Sequence, residues 1–193
     1  MSATAISGVL VDTWAAKSRV RNAALVLGLT ALTAISAQIA IPLPFTPVPL
    51  TLQTFAVLVG AAALGAERAV LAQVLYITLA VAGAPVRAGA NGGREAVMGA
   101  TGGYLIGFVL ASYVVGRIAS RGATTKISTT ALAYIAGSAT IYLIGAPWLA
   151  YTTGNTMAWA IANGVVPFLI GDAIKAVAAG AVLPLAWKLT NSK

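Results

Sequence analysis

Pro167-Phe168-Leu169-Ile170-Gly171-Asp172-Ala173-Ile174-Lys175 lies within an apolar run from Ala162 to Trp187. Such a run is long enough for a helix that crosses a bilayer, which needs about 20 residues at roughly 1.5 Å each. Asp172 is the only acidic residue inside an apolar stretch of this length, and Lys175 follows it three positions later. An ionised group at membrane depth is costly, so it faces a partner charge, a cavity or a ligand rather than hydrocarbon. Positions i and i+3 share a helix face, which turns both side chains toward one interior. With Pro167 in the first helical turn, Asp172 would sit about 7 Å below the outer end of the span, a depth that a small solute reaches. Two readings stay open from these residues. The pair fixes helix packing as an internal salt bridge, or it receives a ligand: a carboxylate accepts amide-like N–H groups, while an ammonium donates to a carbonyl or pairs with a carboxylate.

The rest of the chain has the same character. Of its 193 residues, 59% are hydrophobic and 8% charged, against roughly 25% charged in an average soluble domain. Apolar segments run from Ala23 to Ile41, Leu50 to Gly65, Ala69 to Ala84, Gly102 to Ala119, Ser128 to Ala150 and Ala162 to Trp187. They predict an all-α integral membrane protein with six transmembrane helices. The expected organisation is a single membrane domain over residues 1–193, with a cytoplasmic segment of about residues 1–20 and a bundle over 21–188. The second and third segments are short at about 16 residues, which implies tilting, an incomplete crossing or local thinning. Lys17, Arg19 and Arg21 before the first run resemble the start of a signal peptide, but the run is long and several follow it, so it is read as a retained helix.

Composition also excludes chemistry. With no Cys and no His, thiol and imidazole routes to catalysis and metal binding are gone, and Asp12, Glu67, Glu95 and Asp172 are too few for a metal centre. Neither a phosphate-binding Walker signature nor a Gly-x-Ser-x-Gly elbow occurs. No cofactor and no enzyme activity are expected. The net charge of +8 is scattered between apolar segments without an aromatic-interleaved basic patch, which argues against nucleic acid. The charges report topology instead. Lys17, Arg19, Arg21, Arg68, Arg117, Arg121, Lys126, Lys188 and Lys193 fall on one side of the six segments, and Arg87 and Arg94 on the other. Both termini are therefore expected in the cytoplasm of a multi-pass cell-membrane protein.

The outer connections are unusual. Ile41-Pro42-Leu43-Pro44-Phe45-Thr46-Pro47-Val48-Pro49-Leu50 carries four prolines and no charge, so it forms neither helix nor central strand. It reads as a stiff lid over the bundle or as a plain Pro-rich connector, since lipid satisfies no backbone carbonyl. The connection from Ala84 to Thr101 holds several glycines with Arg87, Asn91, Arg94 and Glu95, and Gly102-Gly103-Tyr104 opens the next helix. That pattern suits either a loop folding onto a ligand or a flexible turn. On the first helix, Ala31, Ala34 and Ala37 with Thr30 and Thr33 form a close-packing face, for sister helices or for a second membrane protein. Val9, Leu10, Val11 and Trp14 form a frayed tail or a short interfacial segment.

Three strings together resemble the BioY family, the biotin-binding S components of energy-coupling factor (ECF) vitamin transporters. They are Ile41 through Phe55, Thr101-Gly102-Gly103-Tyr104-Leu105-Ile106-Gly107-Phe108, and Pro167 through Lys175, and the likeness runs from about Arg21 to Lys188. The resemblance implies the six-helix S-component fold, capture of biotin at the extracytoplasmic face, and energy from a separate T component and paired ATPases. It makes Asp172 and Lys175 polar binding residues of the last helix, and donor–acceptor chemistry then gives Asp172 the ureido N–H groups, Lys175 the ureido carbonyl or valerate carboxylate, and Phe45 and Tyr104 the flanks of the rings. Gln53, Gly102 and Gly103 fall in the matching strings and Asn91 in the matching glycine-rich loop, while Arg94, outside the family's pattern, is the candidate carboxylate partner. Three departures stand out: Ile170 where the family often has Pro, the lack of a clean Ala-x-x-x-Ala motif on the first helix, and Arg94-Glu95 outside the pattern. A stand-alone biotin facilitator, or an S component for another small vitamin, are the alternatives.

Overall fold

The computed structural model describes residues 8–13 and 18–191. Within them the α-helices are α1 Arg19–Gln38, α2 Gln53–Leu64, α3 Ala66–Val81, α4 Arg94–Met98, α5 Gly102–Ala119, α6 Ile127–Thr153, α7 Met157–Gly164 and α8 Leu169–Asn191. A two-stranded antiparallel ribbon, β1 Ala40–Ile41 and β2 Leu50–Thr51, pairs Ala40 with Thr51 and Ile41 with Leu50. The chain is mostly helical, as expected.

Four stretches are long and apolar enough to cross a membrane: α1, α5, α6 and the run Met157–Thr190 that contains α7 and α8. The remaining two expected spans are the shorter helices, α2 with 12 residues and α3 with 16. They are short because Gly65, at φ +85°, ends one and starts the other, a left-handed backbone that a residue without Cβ adopts cheaply. The last run is also interrupted. Val166–Phe168 form a 3-10 turn around Pro167, and α8 begins at Leu169. Asp172 therefore lies in the first turn of α8, about 4.5 Å below its start rather than 7 Å.

Helix contacts rest on small residues. On α5, a Cβ added to Gly107 would come 2.9 Å from Ile141 Cα, and one on α6 Gly145 would strike the Tyr104 ring at 2.6 Å. The two backbones thus meet at a separation that larger residues forbid. On α1 the inward face is Leu29, Thr30, Thr33, Ser36 and Ala37, whereas Ala34 is half-buried and Ala31 exposed. Thr30 Oγ1 donates to the Ala72 carbonyl at 3.0 Å, and Gln73 Nε2 donates to Thr33 Oγ1 at 3.3 Å, so this face serves packing against α3.

The segment before α1 is not frayed where it is described. Val9, Leu10 and Val11 are buried, and Leu10–Thr13 form a 3-10 turn against the bundle. Val9 covers Gly65, and Asp12 pairs with Arg68 at 2.8 Å and Arg21 at 3.5 Å. Two guanidiniums and an apolar recess hold a stretch whose composition alone looked like a tail. Trp14, Lys17 and Lys193 lie outside the described residues.

Candidate functional site

At the opposite end from Asp12, the Pro-rich segment, the loop after α3 and the adjoining ends of α5, α6 and α8 surround a cavity of about 510 Å³. That volume is within the ordinary range for small-molecule sites. Five of the residues singled out in the sequence line it together: Gln53, Asn91, Tyr104, Asp172 and Lys175.

Asp172 and Lys175 form an i, i+3 ion pair, Oδ1 to Nζ at 3.5 Å, with side chains only 9% and 12% exposed. The pair neither points into hydrocarbon nor closes on itself. Tyr142 Oη donates to Asp172 Oδ2 at 2.6 Å, within the short range of a charge-assisted hydrogen bond. Asp172 Oδ1 is buried and receives no hydrogen bond within the protein. A carboxylate has about four acceptor positions, so this one keeps capacity to spare. Lys175 Nζ donates to Thr54 Oγ1 at 2.7 Å and to the Thr51 carbonyl at 2.9 Å, which ties α8 to β2 and the start of α2.

A second network holds the loops in place. Gln53 Nε2 donates to Tyr76 Oη at 2.9 Å, and Tyr76 donates onward to the Val86 carbonyl at 3.0 Å. Gln38 Nε2 reaches the Arg87 carbonyl at 3.1 Å. Arg87 in turn donates to Asn91 Oδ1 at 2.8 Å and Thr101 Oγ1 at 2.6 Å. Its guanidinium lines the cavity, and among the described residues no carboxylate pairs with it. Burial, the main cause, draws Arg87 below its ordinary pKa, with the Tyr76 phenol acting in the opposite sense. A poorly hydrated cation without a counter-ion favours an incoming anion.

Four expected residues are placed elsewhere. Phe45 is 52% exposed and outside the cavity lining. The chain turns there, with Thr46 N bonded to the Leu43 carbonyl at 3.4 Å, so Phe45 stands at an exposed corner while Thr46 and Val48 are buried. Aromatic walls come instead from Phe108 and Phe168. Arg94, at the start of α4, is exposed and also outside the lining, so the guanidinium-bearing residue at the cavity, beside the Lys175 ammonium, is Arg87. Gly102 and Gly103 are buried against α6. A Cβ on Gly102 would come 2.9 Å from Trp148 Nε1, and one on Gly103 would come 2.7 Å from Trp148 Cγ and 2.8 Å from the Ile144 carbonyl. These glycines admit Trp148, whose Nε1 donates to the Gly99 carbonyl at 2.9 Å. Tyr104 meets the cavity, and its hydroxyl is bound to the Gly164 carbonyl at 2.8 Å.

Sequence reasoning missed Arg87, Tyr142, Tyr76 and Thr54. A faint signal existed for the tyrosines, since a phenol in a span must find a hydrogen-bond partner. For Arg87 it was the Asn four positions on in a loop too short to separate them. The assembled groups offer acceptors, an ammonium, a guanidinium and apolar walls, but no activated nucleophile. This is equipment for binding rather than bond-making.

Comparison with known proteins agrees with this description. The model of the BioY family matches residues 9–192. The chain is 37% identical over 161 residues to the probable biotin transporter BioY of Pyrococcus horikoshii, covering 83% of this chain and 93% of that one. It is 38% identical over 153 residues to the biotin transporter BioY of Thermotoga maritima, covering 79% and 88%. Among solved structures, the S-component for biotin from an ECF-type ABC transporter superposes with a TM-score of 0.80 at 24% identity, over 90% of this chain and 95% of that one, which shows a shared fold.

Proposed function

The chain belongs to the BioY family, and on that premise we propose that it captures biotin in the 510 Å³ cavity as the S component of an ECF transporter. The family is one of transporters, so the chain is not an enzyme, and its several apolar helices of spanning length make it a multi-pass plasma-membrane protein. The observation that carries the ligand is the unfilled polar capacity at the cavity. Asp172 takes a ureido N–H, Lys175 faces the ureido carbonyl, and Arg87, with Asn91 holding its fork, takes the valerate carboxylate. Phe108, Phe168 and Tyr104 enclose the apolar rings.

Residues 1–193 act as one membrane unit in this reading, with α2 and α3 completing six crossings and both termini in the cytoplasm. A T component and paired ATPases supply the energy. The chain lacks cysteine, so single cysteines at Phe45 and Lys126 test the topology directly: a membrane-impermeant thiol reagent applied to whole cells labels the first and not the second. Isothermal titration of the purified protein with biotin tests the ligand, and a wild type that gives no heat and retains no biotin ends the reading. Competition with other vitamins distinguishes another substrate. Uptake in a host without ATPase partners would mark a stand-alone facilitator.

A further inference from the structure

Tyr142 stands on α6 with its hydroxyl 2.6 Å from Asp172 Oδ2, and both residues line the cavity. The other carboxylate oxygen, Oδ1, is buried on the Lys175 side at 3.5 Å from Nζ. A ligand therefore meets Asp172 through Oδ2, an oxygen that already holds the phenol proton. The position left beside that proton suits one further donor.

This count distinguishes head groups. The two N–H bonds of a cyclic urea point away from each other across the ring, so only one of them reaches a given carboxylate. A cyclic guanidinium, with an imino nitrogen in place of the carbonyl oxygen, presents two adjacent, nearly parallel N–H bonds and a positive charge. Such a fork is normally the better partner for a carboxylate. Here its second N–H competes with the proton that Tyr142 has placed on Oδ2, and its charge faces Lys175. We infer that Tyr142 is a specificity-determining residue: by occupying Oδ2 it makes Asp172 a one-donor acceptor and turns the site toward neutral urea heads and away from cationic, two-donor heads. Selectivity arises from what the pocket refuses as well as from what it holds.

The inference rests on the biotin reading and is tested separately from it. Wild type and Tyr142→Phe are titrated with biotin and with its guanidinium analogue, 2-iminobiotin, at neutral pH. Phenylalanine keeps the ring and removes only the donor. The expected result is weaker biotin binding and a preference for biotin over the analogue that shrinks about tenfold or more, as the freed position accepts the second N–H. An unchanged ratio overturns the assignment, whether both ligands weaken equally, as loss of packing would cause, or neither changes. If the phenylalanine variant does not purify folded, Tyr142→Met removes the same donor and is read by the same ratio. A wild type silent to biotin overturns the biotin reading itself, a different outcome from an unaltered ratio in the variant.

Discussion

The two ends of the bundle use the same side-chain types and use them differently. At the Asp12 end, the carboxylate takes two guanidiniums, and Arg68 donates besides to Asn22 Oδ1 and the Leu64 carbonyl, each at 3.0 Å. Nearby, Trp187 Nε1 donates to buried Thr124 Oγ1 at 3.1 Å. At the cavity end, the Asp172 carboxylate receives one hydrogen bond, from Tyr142 on Oδ2, for about four acceptor positions, and Arg87 is held by neutral oxygens only. Mutual pairing of this kind fixes structure, because the carboxylate and the guanidiniums already answer one another. Residual capacity inside a formed cavity is an invitation to a ligand, provided other bonds keep the groups in position. Lys175 with Thr51 and Thr54, and Gln53 with Tyr76, supply that frame.

Asp172→Asn strikes this contrast hardest: removing the charge while keeping the shape lowers biotin affinity by about 100-fold in calorimetry, the scale of a hydrogen bond to a charged group. An equal loss of thermal stability, with little loss of affinity, would move Asp172 into the class of Asp12. Next comes Gly103→Val at the border of the two classes, since it crowds Trp148 without touching the cavity lining. Overpacking of this kind costs about 1–3 kcal/mol and lowers the unfolding midpoint in detergent. Arg87→Ala weakens biotin about tenfold while leaving the methyl ester of biotin nearly unaffected, because the ester lacks the charge the guanidinium answers. Arg94→Ala shifts neither ligand measurably in the same titrations. In stability alone, Asp12→Ala loses about 1 kcal/mol through Arg68, discounted for partial exposure, with biotin affinity unchanged. A fall in affinity there would show that the two ends are coupled.

Much of the cavity end was legible because its signals are strong in one dimension. Charges inside an apolar run, as at Asp172 and Lys175, are costly enough that composition alone exposes them. The prolines from Pro42 to Pro49 exclude a helix, and the segment is indeed non-helical between two short strands. What stayed hidden depends on partners distant in the chain. Tyr142 reads as one more aromatic in α6 until α8 brings Asp172 beside it, 30 positions later. Gly102 and Gly103 look like a loop cradling a ligand, and only Trp148 explains them. Arg87 and Arg94 are indistinguishable as loop cations, and the Asn91 and Thr101 oxygens decide between them. The burial of Val9 to Val11 was unreadable for the same reason, since it depends on a recess at Gly65 and on Arg68.

The ribbon of Ala40–Ile41 and Leu50–Thr51 closes the intervening proline-rich stretch at its base, with Leu52 N also bonded to the Ile39 carbonyl at 3.1 Å. A flap clasped at both ends and stiffened by fixed φ angles has few shapes to give up when it settles over a solute. Holding a guest then exacts little entropy, and escape requires the clasp to swing as a piece. On the biotin reading, the segment's stiffness is thus in place before any vitamin arrives.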